Sequence, residues 1–164
     1  MELIVAVDKN WGIGKGNDLL CHLPGDLKHV KELTMGHTLI LGKKTLESLP
    51  GGNPLPGRRH IVLSFPDEVI DKPVTAVHSV EEALDAAKDD EHVFVFGGES
   101  IYRAFLPYVD KAYITKIDHA FQADRFFPNL DEDEDFTPVS VGETLSGGGY
   151  NYSYWIYERV NKEK

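Results

Sequence analysis

Asp26 is the carboxylate to start from. It lies in Leu23-Pro24-Gly25-Asp26-Leu27-Lys28, where a proline followed by apolar Leu27, Val30 and Leu33 reads as a helix start, with Thr34-Met35-Gly36 as its end. Two kinds of chemistry are open to it. At a solvated helix start the carboxylate favours the positive end of the dipole and does nothing more, which is the plainer reading on local grounds. In an apolar cleft, desolvation raises its pKa and makes it a proton donor near neutral pH. Helix position alone does not choose between them.

Three glycine-bearing junctions point to what lies beside it. Asn10-Trp11-Gly12-Ile13-Gly14-Lys15-Gly16-Asn17 follows a first apolar run, Leu41-Gly42-Lys43-Lys44-Thr45 a second, and Phe96-Gly97-Gly98-Glu99-Ser100-Ile101-Tyr102 a later one. Glycine lets a ligand approach the backbone, and the helix start that follows offers free N–H groups to phosphate. In an open α/β sheet such sites gather at the carboxyl ends of strands. Singly, each is ordinary turn chemistry. Neither G-x-G-x-x-G with its downstream acid nor G-x-x-x-x-G-K-[ST] is present, which disfavours a standard dinucleotide fold and a P-loop.

Metal and nucleophile chemistry find less support. The histidines at 22, 29, 37, 60, 78, 92 and 119 show no ligand spacing, so surface or strand-end placement is expected and no metal site. Cys21 is the single cysteine, which excludes an intramolecular disulfide and the common zinc patterns. A thiol nucleophile needs a basic partner, and the side chain of adjacent His22 should diverge from it, so a packed thiol is expected.

The elements that must position these residues follow from periodicity. Leu3 to Val7, Thr38 to Leu41, His60 to Leu63, Thr75 to Val77, Val93 to Phe96 and Tyr113 to Ile117 read as strands, several apolar enough to be buried on both faces. Helical patterns run from Asp26 to Thr34, Lys43 to Leu49, Ser79 to Ala87 and Glu99 to Leu106, and Ser79-Val80-Glu81-Glu82 has capping-box spacing. Phe136 to Leu145 and Tyr150 to Val160 read as an antiparallel pair joined through Ser146-Gly147-Gly148-Gly149. The expectation is an α/β fold: an eight-stranded, mostly parallel sheet with a C-terminal antiparallel hairpin and four flanking helices, forming one domain over residues 1–164.

Composition narrows the partners. Of 164 residues 41% are hydrophobic, and the apolar stretches are too short to span a bilayer. No signal-peptide succession opens the chain, so the cytoplasm is the expected address. The net charge of −10 argues against a nonspecific nucleic-acid or anionic-membrane binder. Much of the acidity lies in Asp131-Glu132-Asp133-Glu134-Asp135, expected as a solvated loop. Lys43-Lys44 and Arg58-Arg59-His60 are local basic exceptions of the sort a polyanionic small ligand would need.

Taken in order, these segments resemble the dihydrofolate reductase family over nearly the whole chain. The resemblance is carried by the loop ending Gly12-Ile13-Gly14, Leu23-Pro24-Gly25-Asp26-Leu27, Leu41-Gly42-Lys43-Lys44-Thr45-Leu46-Glu47-Ser48-Leu49 and Pro54-Leu55-Pro56-Gly57-Arg58. Phe96-Gly97-Gly98-Glu99-Ser100-Ile101-Tyr102, Thr115-Lys116-Ile117 and Ala123-Asp124-Arg125-Phe126-Phe127-Pro128 complete it. It implies hydride transfer from NADPH to C6 of 7,8-dihydrofolate with protonation of N5, supplying one-carbon metabolism, in a monomer that antifolate inhibitors could target.

By the same resemblance Asp26 is the active-site acid, Thr115 supports it, and Tyr102 joins them as a catalytic position. Arg58 grips the substrate's α-carboxylate. Ile4, Val5, Leu27, Val30, Lys31, Leu49, Leu55 and Phe96 line the pterin and aminobenzoyl pocket. Ala6, Ile13 and Tyr102 surround the nicotinamide, and Gly97-Gly98, joined by a cis peptide in the family, meet the pyrophosphate. Gly14, Asn17, Asp18, Leu19, Gly42, Lys43, Lys44, Thr45, Leu63, Ser64, Phe65, His78, Glu99, Ser100 and Ile101 complete the cofactor set.

The chain departs from the family pattern at Leu20-Cys21, where Pro-Trp is usual, which puts Cys21 beside the cleft. Val30 stands where an aromatic is frequent, Lys43-Lys44 replace an arginine-led pair, and Phe65 replaces a small polar residue. These bear on pocket shape, antifolate affinity and NADP preference. The residues leave two other readings: a pyrimidine or pterin reductase of the same fold, expected to lack the pairing of Asp26 with Arg58, and a non-catalytic nucleotide binder. Retention of Asp26 and Thr115 argues against the second.

Overall fold

The computed structural model describes residues 1–15, 18–19 and 24–160. In chain order the strands are β1 (Glu2–Val7), β2 (Gly12–Lys15), β3 (Asp18–Leu19), β4 (Thr38–Gly42), β5 (Arg59–Leu63), β6 (Thr75–Val77), β7 (Val93–Gly97), β8 (Lys111–Ile117), β9 (Arg125–Phe126), β10 (Phe136–Val141), β11 (Leu145–Gly147) and β12 (Tyr150–Arg159). The helices are α1 (Pro24–Thr34), α2 (Lys43–Ser48), α3 (Val80–Ala87) and α4 (Glu99–Phe105).

Eight strands form the main sheet in the order β10-β12-β8-β1-β7-β4-β5-β6, and β11 pairs with β12 beside them. From β8 to β6 every pairing is parallel, while β12 runs antiparallel to β8, β10 and β11. The apolar runs are explained by two-sided burial. Leu3, Val5, Ile40, Val93 and Val95 enter one core with Ala83 and Ala87 of α3 and Ile101 and Phe105 of α4. Their neighbours Ile4, Leu39, Leu41 and Phe94 face the other side, against Val30 and Leu33 of α1 and Leu46 of α2. Successive side chains of a strand point to opposite faces, so a strand covered on both shows no alternation.

The capping signal before α3 forms, with a variation. Ser79 accepts from Glu82 N–H at 3.0 Å, a contact worth about 1 kcal/mol, but the Glu82 carboxylate reaches back to His78 N–H at 3.1 Å rather than to Ser79.

Two elements differ from the sequence reading. The strand expected over 136–145 breaks after Val141. There Gly142 N–H donates to Tyr154 O at 2.7 Å, and a Cβ on Gly142 would stand 3.0 Å from that oxygen, a close approach that glycine permits. The tight turn is Gly148-Gly149, between β11 and β12. The glycine-bearing junction over 10–17 contributes to a small separate sheet, β3-β2-β9. Asp8, at the end of β1, fastens that loop: its carboxylate accepts from the N–H groups of Asn10 (2.8 Å), Gly12 (2.7 Å) and Phe121 (3.0 Å). Among the described residues no helix is long and apolar enough to cross a membrane.

Candidate active site

Asp26 occupies the first turn of α1 and meets β8 through Thr115. Thr115, 3% exposed, donates its hydroxyl to Asp26 Oδ1 at 2.7 Å. Register explains the meeting: Thr115 sits opposite Ala6 of β1 on one side and Tyr154 of β12 on the other. Burial raises the Asp26 pKa, and the Thr115 hydrogen bond and nearby His29 only partly oppose that rise. His29, one turn along α1, stacks on Tyr154 with ring centroids 3.8 Å apart, and burial lowers its pKa. A Cβ at Gly25 would overlap the Tyr152 hydroxyl, so a side chain there would have to displace that ring.

Apolar side chains cover the α1 side of the sheet. Val30, Leu49, Leu55 and Phe96 pack against the core formed by Ile4, Leu39, Leu41, Leu46, Val62 and Phe94, and Lys31 lies exposed beside them on α1. Arg58 is fixed by Pro56 O, which accepts from Nε at 3.0 Å, and by the Thr34 hydroxyl, 3.2 Å from Nη1. Thr34 in turn donates to Val30 O at 2.7 Å. His60, 2% exposed, staples the same segment: its Nε2 accepts from Leu55 N–H at 3.0 Å and its Nδ1 lies 3.0 Å from Arg58 O. That pairing requires a neutral ring with the proton on Nδ1, in accord with the lowering of its pKa by burial.

Next to this region, across β1, opens a cleft of about 600 Å³. Of the residues expected at a cofactor, it is lined by Ala6, Ile13, Gly14, Gly42, Lys43, Lys44, Thr45, Leu63, Ser64, Phe65, His78, Gly97, Gly98, Glu99, Ser100, Ile101 and Tyr102. Val5 and Phe96, expected at the pterin, line it too, as do Ser48, Glu68 and Arg125, which the sequence reading did not single out. Asn17 and Cys21 lie outside the described residues, and of Asp18, Leu19 and Leu27 only the backbone is described.

The starts of α2 and α4 meet across this cleft. A Cβ on Gly42 would stand 3.2 Å from Ile101, and one on Gly98 would stand 3.5 Å from Thr45 Oγ1. Neither helix carries a side-chain cap at its N-terminus, so first-turn N–H groups remain for an oxyanion. The Gly97–Gly98 peptide is cis, and Gly97 has φ +119, with the Tyr102 ring 3.1 Å from where its Cβ would be. The Tyr102 hydroxyl lies 2.8 Å from Ile4 O and 3.0 Å from Phe96 O, so its proton is committed to the backbone, and burial raises its pKa further. Ser64 Oγ is buried without a hydrogen-bond partner. Among the described residues Lys44 has no carboxylate partner, whereas Lys43 is held by Glu47 at 3.3 Å and Glu68 at 3.5 Å. Uncapped helix starts, an orphaned hydroxyl and a free lysine suit an elongated polyanion such as a phosphorylated dinucleotide.

A mostly parallel sheet holding a cleft suited to a polyanion on one side of its first strand and a buried carboxylate on the other fits a nucleotide-dependent enzyme. The dihydrofolate reductase family model matches residues 1–159. The dihydrofolate reductase of Staphylococcus haemolyticus is 44% identical over 162 residues, covering 98% of this chain and 96% of that one. That of Bacillus subtilis is 39% identical over 165 residues, with 100% and 97% covered. Enterococcus faecalis dihydrofolate reductase, solved in complex with NADP(H) and RAB-propyl, superposes with a TM-score of 0.86 at 38% identity, covering 98% of this chain and 96% of its own. The chain belongs to the dihydrofolate reductase family.

Proposed function

We propose that this site reduces 7,8-dihydrofolate to 5,6,7,8-tetrahydrofolate with NADPH as cofactor, and that its protein chemistry centres on Asp26. NADPH, when bound, supplies the hydride that C6 of the pterin accepts. The observation that carries the reading is the buried Asp26–Thr115 pair standing one strand away from a cleft whose groups suit a dinucleotide.

Asp26 hydrogen-bonds the pterin ring and promotes protonation of N5. Burial keeps the carboxyl in competition for a proton nearer neutrality than an exposed aspartate, while Thr115 fixes which oxygen faces inward. Arg58, braced by Thr34 and Pro56, holds the α-carboxylate of the glutamate tail; its Nη2 has no hydrogen bond among the described residues. Val30, Leu49, Leu55 and Phe96 exclude water from the ring system. Tyr102 is a wall of the nicotinamide end and a strut between β1 and β7, since its proton is engaged by backbone oxygens. Gly97 and Gly98, with Thr45 and Ser100, hold the pyrophosphate, and Lys43 and Lys44, with Ser64 and His78 next in line, meet the 2′-phosphate. A monomer acting in the cytoplasm is the proposed setting.

NADPH oxidation followed by absorbance, with and without dihydrofolate, tests the reading on the unmodified protein and on Asp26→Asn. The substitution should lower the neutral-pH rate by roughly 10²–10⁴, the usual contribution of a general acid, and leave the NADPH Kd nearly unchanged. Acidification, which protonates dihydrofolate from solvent, should restore much of the loss. A variant as fast as the parent at pH 7.5 removes Asp26 from the mechanism.

A further inference from the structure

Glu68 closes the turn Phe65-Pro66-Asp67-Glu68, where its own N–H donates to Phe65 O at 3.0 Å. Its side chain folds back over the turn. Oε1 accepts from Phe65 N–H at 2.8 Å, and Oε2 lies 3.5 Å from Lys43 Nζ. One carboxylate therefore engages a backbone N–H and an ammonium together, a donor pair suited to an oxyanion ligand. Glu68, Phe65 and Lys43 all line the cleft, as does Ser64 with its unpartnered hydroxyl. Glu47 contacts the same ammonium from within α2 at 3.3 Å, so Lys43 faces two carboxylates and adds no positive field of its own. The Lys43 and Glu68 side chains are each 30% exposed, which places them where a ligand both reaches them and partly desolvates them.

We propose that Glu68 is a specificity-determining residue: its carboxylate occupies the oxyanion position between Phe65 N–H and Lys43, and a 2′-phosphorylated dinucleotide binds only by displacing it. The proposal rests on the reading that this cleft takes NADPH. A dinucleotide without the 2′-phosphate leaves the Glu68 contacts in place, so the carboxylate acts selectively against the phosphorylated form. The preference for NADPH over NADH is thereby set lower than Lys43, Lys44 and Ser64 would otherwise give. Selectivity here includes a repulsive element from the protein itself.

The test is equilibrium binding of NADPH and NADH, by calorimetry or ligand fluorescence without dihydrofolate, to the parent, Glu68→Gln and Glu47→Gln, each confirmed folded by circular dichroism. Glu68→Gln should tighten NADPH about five- to tenfold, the worth of one partly screened unit charge at contact distance, and change NADH less than twofold. Glu47→Gln, which frees Lys43 but not Phe65 N–H, should give a smaller gain. The difference should shrink in 0.5 M salt. An NADPH Kd that is unchanged or weaker in Glu68→Gln overturns the proposal, as does equal tightening of both dinucleotides. Those outcomes leave the cofactor reading standing so long as the parent binds NADPH; a parent that binds neither dinucleotide overturns both.

Discussion

Thr115→Val isolates the hydrogen bond on which the carboxyl depends. Valine keeps the shape of a side chain that is 3% exposed and deletes only the hydroxyl that reaches Asp26 Oδ1 at 2.7 Å. A hydrogen bond to a charged acceptor contributes about 1.5–3 kcal/mol, so its loss biases the protonation equilibrium of Asp26 toward the neutral acid by about ten- to a hundredfold. Burial already raises the Asp26 pKa in the folded state, and the substitution raises it further. The sign for stability follows. Above the folded pKa the native state must hold a buried carboxylate, so the variant there carries the full destabilisation of ~1.5–3 kcal/mol. As pH falls through the folded pKa toward the ordinary carboxylate range, the proton is taken up first by the folded protein and the loss shrinks. Urea unfolding at pH 8 and pH 5 measures this, and the pH dependence of kcat/KM for dihydrofolate should shift its midpoint to higher pH. Superimposable pH–rate profiles, with an equal stability loss at both pH values, would refute the assignment of Thr115 as the support of an ionisable Asp26.

Arg58→Leu should chiefly raise KM for dihydrofolate, and should do so far less for a pterin lacking the glutamate tail; equal changes for both would make Arg58 a structural brace through Thr34. Replacing Lys43 and Lys44 together by Gln should weaken NADPH and barely affect NADH, with a shallower salt dependence, and calorimetry at two ionic strengths reads both. Most of that loss should trace to Lys44, because Lys43 is already matched by Glu47 and Glu68. Gly97→Ala should destabilise the protein by about 1–3 kcal/mol and weaken cofactor binding, since φ is +119 and the new methyl would press on the Tyr102 ring at 3.1 Å, as thermal melting and NADPH titration would register.

The fold was legible wherever burial on both faces produced continuous apolar runs, as in Leu3 to Val7 and Val93 to Phe96, and wherever glycine marked a strand end. The small β3-β2-β9 sheet was not. Its strands are two to four residues long and carry Gly12 and Gly14, so no alternation could register. The residues gathered around Asp26 and along the cleft were legible through ordered motifs rather than through any single one. What escaped were the residues that act by reaching across the fold. His60 looks like a strand-edge histidine until its ring is seen between Leu55 and Arg58. Thr34 reads as a helix end, yet it braces a guanidinium. Glu68 is one acid among 27 Asp and Glu, and only the folded turn brings it to Lys43. The run 131–135 is largely exposed as composition suggests, but Asp131 is anchored by the Tyr157 hydroxyl at 2.6 Å and by Lys116 at 3.1 Å.

The position of β1 in the sheet has a consequence for how the chain assembles. Glu2 pairs with Phe94 on one side and with Lys111 on the other, so the strand at the centre of the sheet lies between two strands far along the chain. During synthesis, a nascent chain that has not reached residue 117 holds Leu3-Ile4-Val5 with one flank unmatched. Before residue 93 it has no ladder partner at all. Contacts of such long sequence separation fold slowly and leave apolar strand surface open to other chains meanwhile. The residues that later separate the dinucleotide cleft from the buried carboxylate are thus the ones most in need of shelter while translation is under way. Depleting ribosome-associated chaperones should lower the soluble yield of this protein more than that of a helical protein of equal length.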